Sequence, residues 1–181
     1  MLFRSRAGGG DVIEPRPATD ADLLRVHTQA HVDAIVATRG KATMIDEDTF
    51  TSPDSEEVAR LAAGAVCVGV DRALDGPAGS RALVLVRPPG HHAEADRAMG
   101  FCLYSNIAVG AAYARARGCG RVAIVDYDVH HGNGTQWIFY EDPTVLFVSS
   151  HQFPFYPGTG APDETGRGAG RSEEHTSELQ S

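Results

Sequence analysis

Asp128 and His130 stand two residues apart in the segment 121–134, R-V-A-I-V-D-Y-D-V-H-H-G-N-G. In an extended backbone that spacing sends both side chains to the same side, where they can converge on one point. A carboxylate and an imidazole so aimed supply two of the roughly three protein ligands a catalytic zinc ion uses, the remaining position being left to water. The chemistry such a centre supports is metal-assisted hydrolysis of an amide. That reaction also needs a base for the attacking water and an acid for the leaving amine, and histidine titrates near neutral pH. The doublet His91-His92, in R-P-P-G-H-H-A at 87–93, matches the need. A lone D-x-H is more often a solvated turn. Two apolar runs, each followed by a histidine pair, are what set this sequence apart. His27 and His31, four apart, have the spacing of a helical metal pair, but no acid or third ligand adjoins them and they read as structural.

These residues need elements to carry them. The β-branched run 122–125 is predicted to be a strand buried on both faces, which puts Asp126 to His130 at its C-terminal tip, where open α/β sheets bind ligands. The run 82–86 is predicted to be a second such strand; the two prolines after it stop sheet pairing and Gly90 permits a tight course into His91. A third strand is expected at 144–148, ending at Ser149-Ser150-His151. Helices are expected from Thr19, from Thr28 to near Gly40, from a Ser55 cap to Asp75 with Val58, Leu61, Ala62, Ala65 and Val66 as its buried stripe, from Ser105 to Arg117, and after Gly134. The stretch 41–53 reads as a polar surface loop. Apolar strands alternating with helices define an α/β protein, a three-layer α/β/α arrangement around a mainly parallel sheet.

With 181 residues and 42% hydrophobic content, the chain suits one globular domain. A net charge of −8 argues against direct binding of nucleic acid and is compatible with a cationic substrate. No apolar run approaches the ~20 residues of a membrane span, and Met1 to Gly10 has no secretion-signal pattern, so a cytoplasmic location is expected. Cys67, Cys102 and Cys119 show no C-x-x-C spacing and read as reduced thiols. Composition says nothing about oligomeric state.

The segments R-P-P-G-H-H-A, G-F-C-L-Y-S-N-I-A and V-D-Y-D-V-H-H-G-N-G-T-Q-W-I-F together resemble the histone deacetylase family, on its class II side with the bacterial deacetylases and acetylpolyamine amidohydrolases. The resemblance implies an incomplete arginase/deacetylase fold over residues 6–170. It also implies a zinc-dependent amidohydrolase acting on acetylated lysine in proteins, on acetylpolyamines, or on small acetylated amines. By that resemblance His92 is the principal base and later the acid, and His91 contributes electrostatically. Asp126 partners His91, and Asn133 partners His92 in place of the class I aspartate. Asp128 and His130 hold zinc. Gly100, Phe101 and Tyr156 shape the substrate tunnel. Asp126, Ser149 and Ser150 belong to a monovalent-cation site suited to potassium. A rim aspartate should lie among residues 41–53. The third zinc ligand and the oxyanion-stabilising tyrosine of the family find no match, which predicts an inactive fragment. The related two-manganese arginase chemistry needs a further aspartate that His131-Gly132-Asn133 does not provide. A non-catalytic acyl-lysine-binding pseudoenzyme would lack the third ligand in the complete gene as well.

The two ends share a peculiarity. Leu2-Phe3-Arg4-Ser5 and Arg171-Ser172-Glu173-Glu174 can be encoded by one short DNA read in opposite directions, a string that resembles a sequencing adapter. Residues 1–5 and 171–181 are therefore expected to be non-native and disordered, with the natural protein truncated on each side. Other codons at these positions in the gene would exclude this origin.

Overall fold

The structure is a computed structural model, and it describes residues 11–171; residues 1–10 and 172–181, with nearly all of the two ends read as non-native, lie outside the described residues. In chain order the elements are α1 (Asp20–Leu23), α2 (Gln29–Val36), β1 (Thr43–Met44), β2 (Phe50–Thr51), α3 (Ser55–Asp75), α4 (Asn106–Ala116), β3 (Val122–Asp126), α5 (Asn133–Ile138), β4 (Val145–Ser149) and a 3-10 turn (Gly168–Gly170). Strands β3 and β4 pair in parallel, from Val122 opposite Val145 to Asp126 opposite Ser149. Helix α5 lies on the crossover between them, and parallel pairing requires a connection of this kind.

Helix α4 joins the two halves of the core. Ala108 and Ala111 pack with Ile124, Phe139, Val145 and Phe147 at the sheet, while Val109 joins Leu23, Val32, Ile35, Ala59, Ala63 and Cys67 on the other side. Small residues permit the close approach to α3. A Cβ on Gly110 would stand 2.3 Å from Val66 Cγ1, and one on Gly64 would meet the Arg16 carbonyl at 1.9 Å, so α3 has backbone packed directly against it.

The local chemistry accounts for most element ends. Thr19 closes a capping box with Asp22, and the Thr28 hydroxyl accepts from His31 N–H. At α3 the expectation fails. Asp54 is the N-cap and Ser55 the first helical residue, its hydroxyl accepting instead from the Ser52 N–H at 2.8 Å. The α3 stripe is also rotated: Ala59, Ala62, Ala63 and Cys67 are buried while Val58 is 43% exposed, because the small side chains take the tightly packed side.

Residues 82–86 form no strand. They run extended along α3, with Ala82 and Val84 against Gly69 and with Leu83 and Leu85 facing out, 84% and 78% exposed. No strand pairs with them among the described residues, so the ladder that would define a strand is missing. Likewise β3 buries Ile124 but exposes Ala123 and Val125; its second face is uncovered among the described residues. The polar stretch 41–53 contains the short antiparallel pair β1–β2. Within the described residues, no helix is long and apolar enough to cross a membrane.

His27 and His31 are buried ties between the first helices and the loop after His92. His27 Nδ1 donates to the Glu94 carbonyl at 3.0 Å while its Nε2 accepts from the Ser105 N–H at 2.9 Å, and His31 Nε2 donates to the Leu103 carbonyl at 2.9 Å. Both ring nitrogens of His27 are thus committed to the neutral form. Burial, then the neighbouring His31, pushes its pKa down from 6.5 to about 4. Below the unfolded value of 6.5 the unfolded chain binds a proton the fold refuses, so this share of stability is present above pH 6.5 and lost as pH falls toward 4. His27→Phe is expected to cost roughly 1–3 kcal/mol by stranding the Ser105 N–H. Urea unfolding at two pH values should also show the variant losing less stability on acidification than the parent.

Candidate active site

The backbone around the histidine doublet is gripped from two sides. A Cβ on Gly90 would meet Asn106 N at 2.5 Å, and one on Gly134 would meet the Ala93 carbonyl at 2.2 Å. The Thr135 N–H at the start of α5 donates to the His91 carbonyl at 3.1 Å. Glycines at these points let α4 and α5 hold the loop by its main chain, which orients both rings.

The two imidazoles lie 3.9 Å apart between centroids, and each uses Nδ1 to reach a partner. His91 Nδ1 is 2.9 Å from Asp126 Oδ2. His92 Nδ1 is 2.8 Å from Asn133 Oδ1, with both His92 and Asn133 buried. Burial, followed by the neighbouring His91, pushes the His92 pKa down to about 4. Burial alone would raise the Asp126 carboxyl, but the hydrogen bond and charge of His91 outweigh it and hold the group below its ordinary value. Gly132 is required beside this pair, since a Cβ there would stand 2.3 Å from Asp126 Oδ2.

Asp128 and His130 converge. Asp128 Oδ1 accepts the His130 N–H at 2.8 Å and lies 3.3 Å from His130 Nδ1, and both side chains are about half exposed. Two ligands about 2.0–2.1 Å from a tetrahedral zinc ion are separated by about 3.3 Å, so the pair fits one edge of such a site. No third histidine, cysteine or acidic side chain joins them among the described residues. The His92 and His130 ring centroids are 6.1 Å apart, so the doublet and the D-x-H pair meet.

Tyr156 stands over this cluster, its ring perpendicular to His92 at 5.0 Å and nearly perpendicular to His130 at 6.1 Å. Burial and then the charges of Asp48 and Asp46 push its phenol up to about 12. Phe101 is 59% exposed at φ 65°, in the left-handed region that costs a non-glycine residue strain, and it is no core residue. Gly100 does approach something closely, and the neighbour is His92: a Cβ there would stand 2.4 Å from His92 Cδ2. Loop 46–49 is laced to this turn, Asp48 Oδ1 accepting from Gly100 N–H at 3.2 Å and Thr49 Oγ1 from Phe101 N–H at 3.0 Å. That contact brings Asp48, out of Asp46, Glu47 and Asp48, to the turn carrying Phe101.

At the paired strand tips Asp126 lies opposite Ser149, and its carbonyl accepts from Ser150 N–H at 2.9 Å. The Ser149 hydroxyl is 2.9 Å from His151 Nδ1. Sequence reasoning missed the network behind these residues. His131 is buried between Thr159 and Gln136, Gln136 donates to Glu164, and Glu164 accepts the Gly160 N–H at 3.0 Å. This network ties the loop bearing Tyr156 to the loop bearing His130. Its partners are 28 residues apart in the chain, and no local pattern announces them.

A parallel β-α-β unit whose first strand leads into the aspartate–histidine edge, with the histidine doublet of the 87–93 loop beside it, has the arginase/deacetylase fold. The model of the histone deacetylase domain matches residues 2–181, and the chain belongs to the histone deacetylase family. It is 46% identical to Histone deacetylase 15 of Arabidopsis thaliana over 87% of this chain and 29% of the plant protein. It is 45% identical to the Histone deacetylase-like amidohydrolase of Pseudomonas aeruginosa over 86% of this chain and 41% of that protein. The crystal structure of the HDA15 HD domain superposes with a TM-score of 0.85 at 45% identity, covering 88% of this chain and 46% of that one. The chain thus spans about half or less of the length of these relatives.

Proposed function

We propose that the protein is a zinc-dependent amidohydrolase that removes acetyl or other acyl groups from lysine side chains or related amines. One observation carries the reading. A metal-binding edge, Asp128 and His130, meets a buried imidazole whose Nδ1 is taken by an amide oxygen, which leaves Nε2 of His92 free to act. Zinc, when bound by Asp128 and His130, supplies Lewis-acid polarisation of the amide carbonyl and of water. His92 accepts the proton of the attacking water at Nε2 and returns it to the departing amine nitrogen, so the imidazole ends as it began. His91, paired with Asp126, stabilises charge beside it. In this reading Gly100, Phe101 and Tyr156 would border the methylenes of the substrate arm, and the charges of Asp48 and Asp46 beside Tyr156 favour a cationic amine or polyamine. The oxygen atoms of Asp126, Ser149 and Ser150 suit a potassium ion that would stiffen the metal-binding loop.

Asp128 and His130 are the two ligands found among the described residues, short of the roughly three a catalytic zinc needs, so they alone should bind zinc weakly and support little turnover. In the complete gene product, chelation should abolish hydrolysis of an acetyl-lysine peptide and zinc should restore it. Asp128→Asn keeps the acceptor for the His130 N–H but should remove zinc, measured by titration calorimetry and metal analysis. Unchanged zinc content in that variant, or turnover indifferent to chelation, overturns the proposal. A complete gene product that binds the acyl-lysine peptide without cleaving it points to the pseudoenzyme instead.

A further inference from the structure

The His92 tautomer depends on which end of the Asn133 amide faces it. An amide oxygen there accepts from Nδ1–H and leaves the Nε2 lone pair for chemistry; an amide NH2 there donates to Nδ1 and puts the ring hydrogen on Nε2. Something must choose between the two, since the amide has nearly the same shape in both orientations.

Three acceptors surround Asn133 Nδ2. The His92 carbonyl at 3.5 Å is at the limit of a hydrogen bond, and the Met99 thioether at 3.4 Å is a weak acceptor. Glu94 Oε1, at 2.8 Å, is the strong one. The same oxygen accepts from Arg97 Nη2 at 2.9 Å, which holds the carboxylate in place. The Glu94 backbone is itself fixed from the far side, its carbonyl accepting from His27 Nδ1 at 3.0 Å. A carboxylate at neutral pH has no hydrogen to give, so it tolerates only the NH2 end of Asn133 and turns the oxygen toward His92.

We propose that Glu94 is a positioning residue that sets the His92 tautomer, acting through the amide of Asn133. A hydrogen bond to a charged acceptor biases such a choice by roughly ten- to a hundredfold. The catalytic consequence rests on the deacetylase reading above; the tautomer does not, and it is measurable without metal or substrate.

Long-range nitrogen-15 spectra of the histidine rings in the full 181-residue chain distinguish the two tautomers directly. His92 should show the Nδ1–H pattern in the parent and in Glu94→Gln, whose amide oxygen can still face both Arg97 and Asn133. Glu94→Lys offers only a donor, so Asn133 should turn over and the Nε2–H form should rise from under about one-tenth of the population to a majority. Adding Asn133→Asp to that variant places an acceptor-only group beside His92 and should restore Nδ1–H. Should Glu94→Lys fail to fold, Glu94→Met removes the acceptor without adding charge and should raise the Nε2–H share severalfold. An Nδ1–H pattern persisting unchanged in folded Glu94→Lys or Glu94→Met overturns the proposal, as does an Nε2–H pattern in the parent. Absence of deacetylation by the unsubstituted complete gene product, with the tautomer results intact, would count against the enzyme reading alone.

Discussion

Replacing His92 by alanine in the complete gene product is expected to lower kcat on an acetyl-lysine peptide by about 10²- to 10⁴-fold with little change in KM. The ring is 4% exposed, and its Nδ1 is committed to Asn133, so a single nitrogen remains for the reaction. Of its imidazole neighbours among the described residues, His91 is held through Nδ1 by Asp126 and His130 Nδ1 faces Asp128, so His91→Ala is the comparison that tells the two rings of the doublet apart. Truncation also opens space beside Gly100, so His92→Gln, which keeps most of the volume without a base, is the paired control. Zinc content measured alongside separates loss of the base from loss of the metal edge. Retention of kcat in both His92 variants would remove His92 from the mechanism.

Glu56→Ala is expected to cost about 3–5 kcal/mol of stability, the range for breaking a buried ion pair from one side. The Glu56 carboxylate is fully buried in the first turn of α3, accepting from Arg60 Nε and Arg39 Nε, each at 2.5 Å. Arg60 is itself 11% exposed and would keep only Asp20 and the Ala18 carbonyl, while the cavity left behind adds to the loss. Burial by itself would raise the Glu56 pKa, but the hydrogen bonds from Arg39 and Arg60 outweigh it and hold the group below 4.5. Its contribution is therefore full above the unfolded value of 4.5 and is lost as pH falls below that toward the depressed folded value. Urea unfolding at neutral pH should show the destabilisation. Repeated near about pH 3.5, it should show the gap between parent and variant narrowing. A gap that stays constant with pH would assign the loss to packing alone.

Much of this was legible in the chain itself, because the informative residues are close together in sequence. The caps at Thr19 and Thr28, the long α3, and the β3-to-α5 passage through D-Y-D-V-H-H-G-N-G each rest on hydrogen bonds or side-chain directions set within a few residues. The same holds for Asp128 with His130, held together past the end of β3 by the His130 N–H on Asp128 Oδ1 and not by strand alternation. The pairings of His91 with Asp126 and His92 with Asn133 span 35 and 41 residues, and it was the family resemblance that proposed them.

What the amino-acid order left open was decided by packing. Whether 82–86 becomes a strand depends on a hydrogen-bonding neighbour, and the apolar pattern of Ala82 to Val86 cannot supply one. Which side of α3 is buried was settled by Gly64, which lets the Arg16 backbone come close, and by Gly110 of α4, which admits Val66, against the hydrophobicity of Val58. Glu94 carries no local mark of its role, because the direction of the Asn133 amide is a property of three segments meeting in space. Sequence by itself determined which side chains are able to do the chemistry, since that is a matter of residue type and short spacing. Only the tertiary structure decided which nitrogen of His92 is free, since a tautomer is chosen by partners the chain brings from far away.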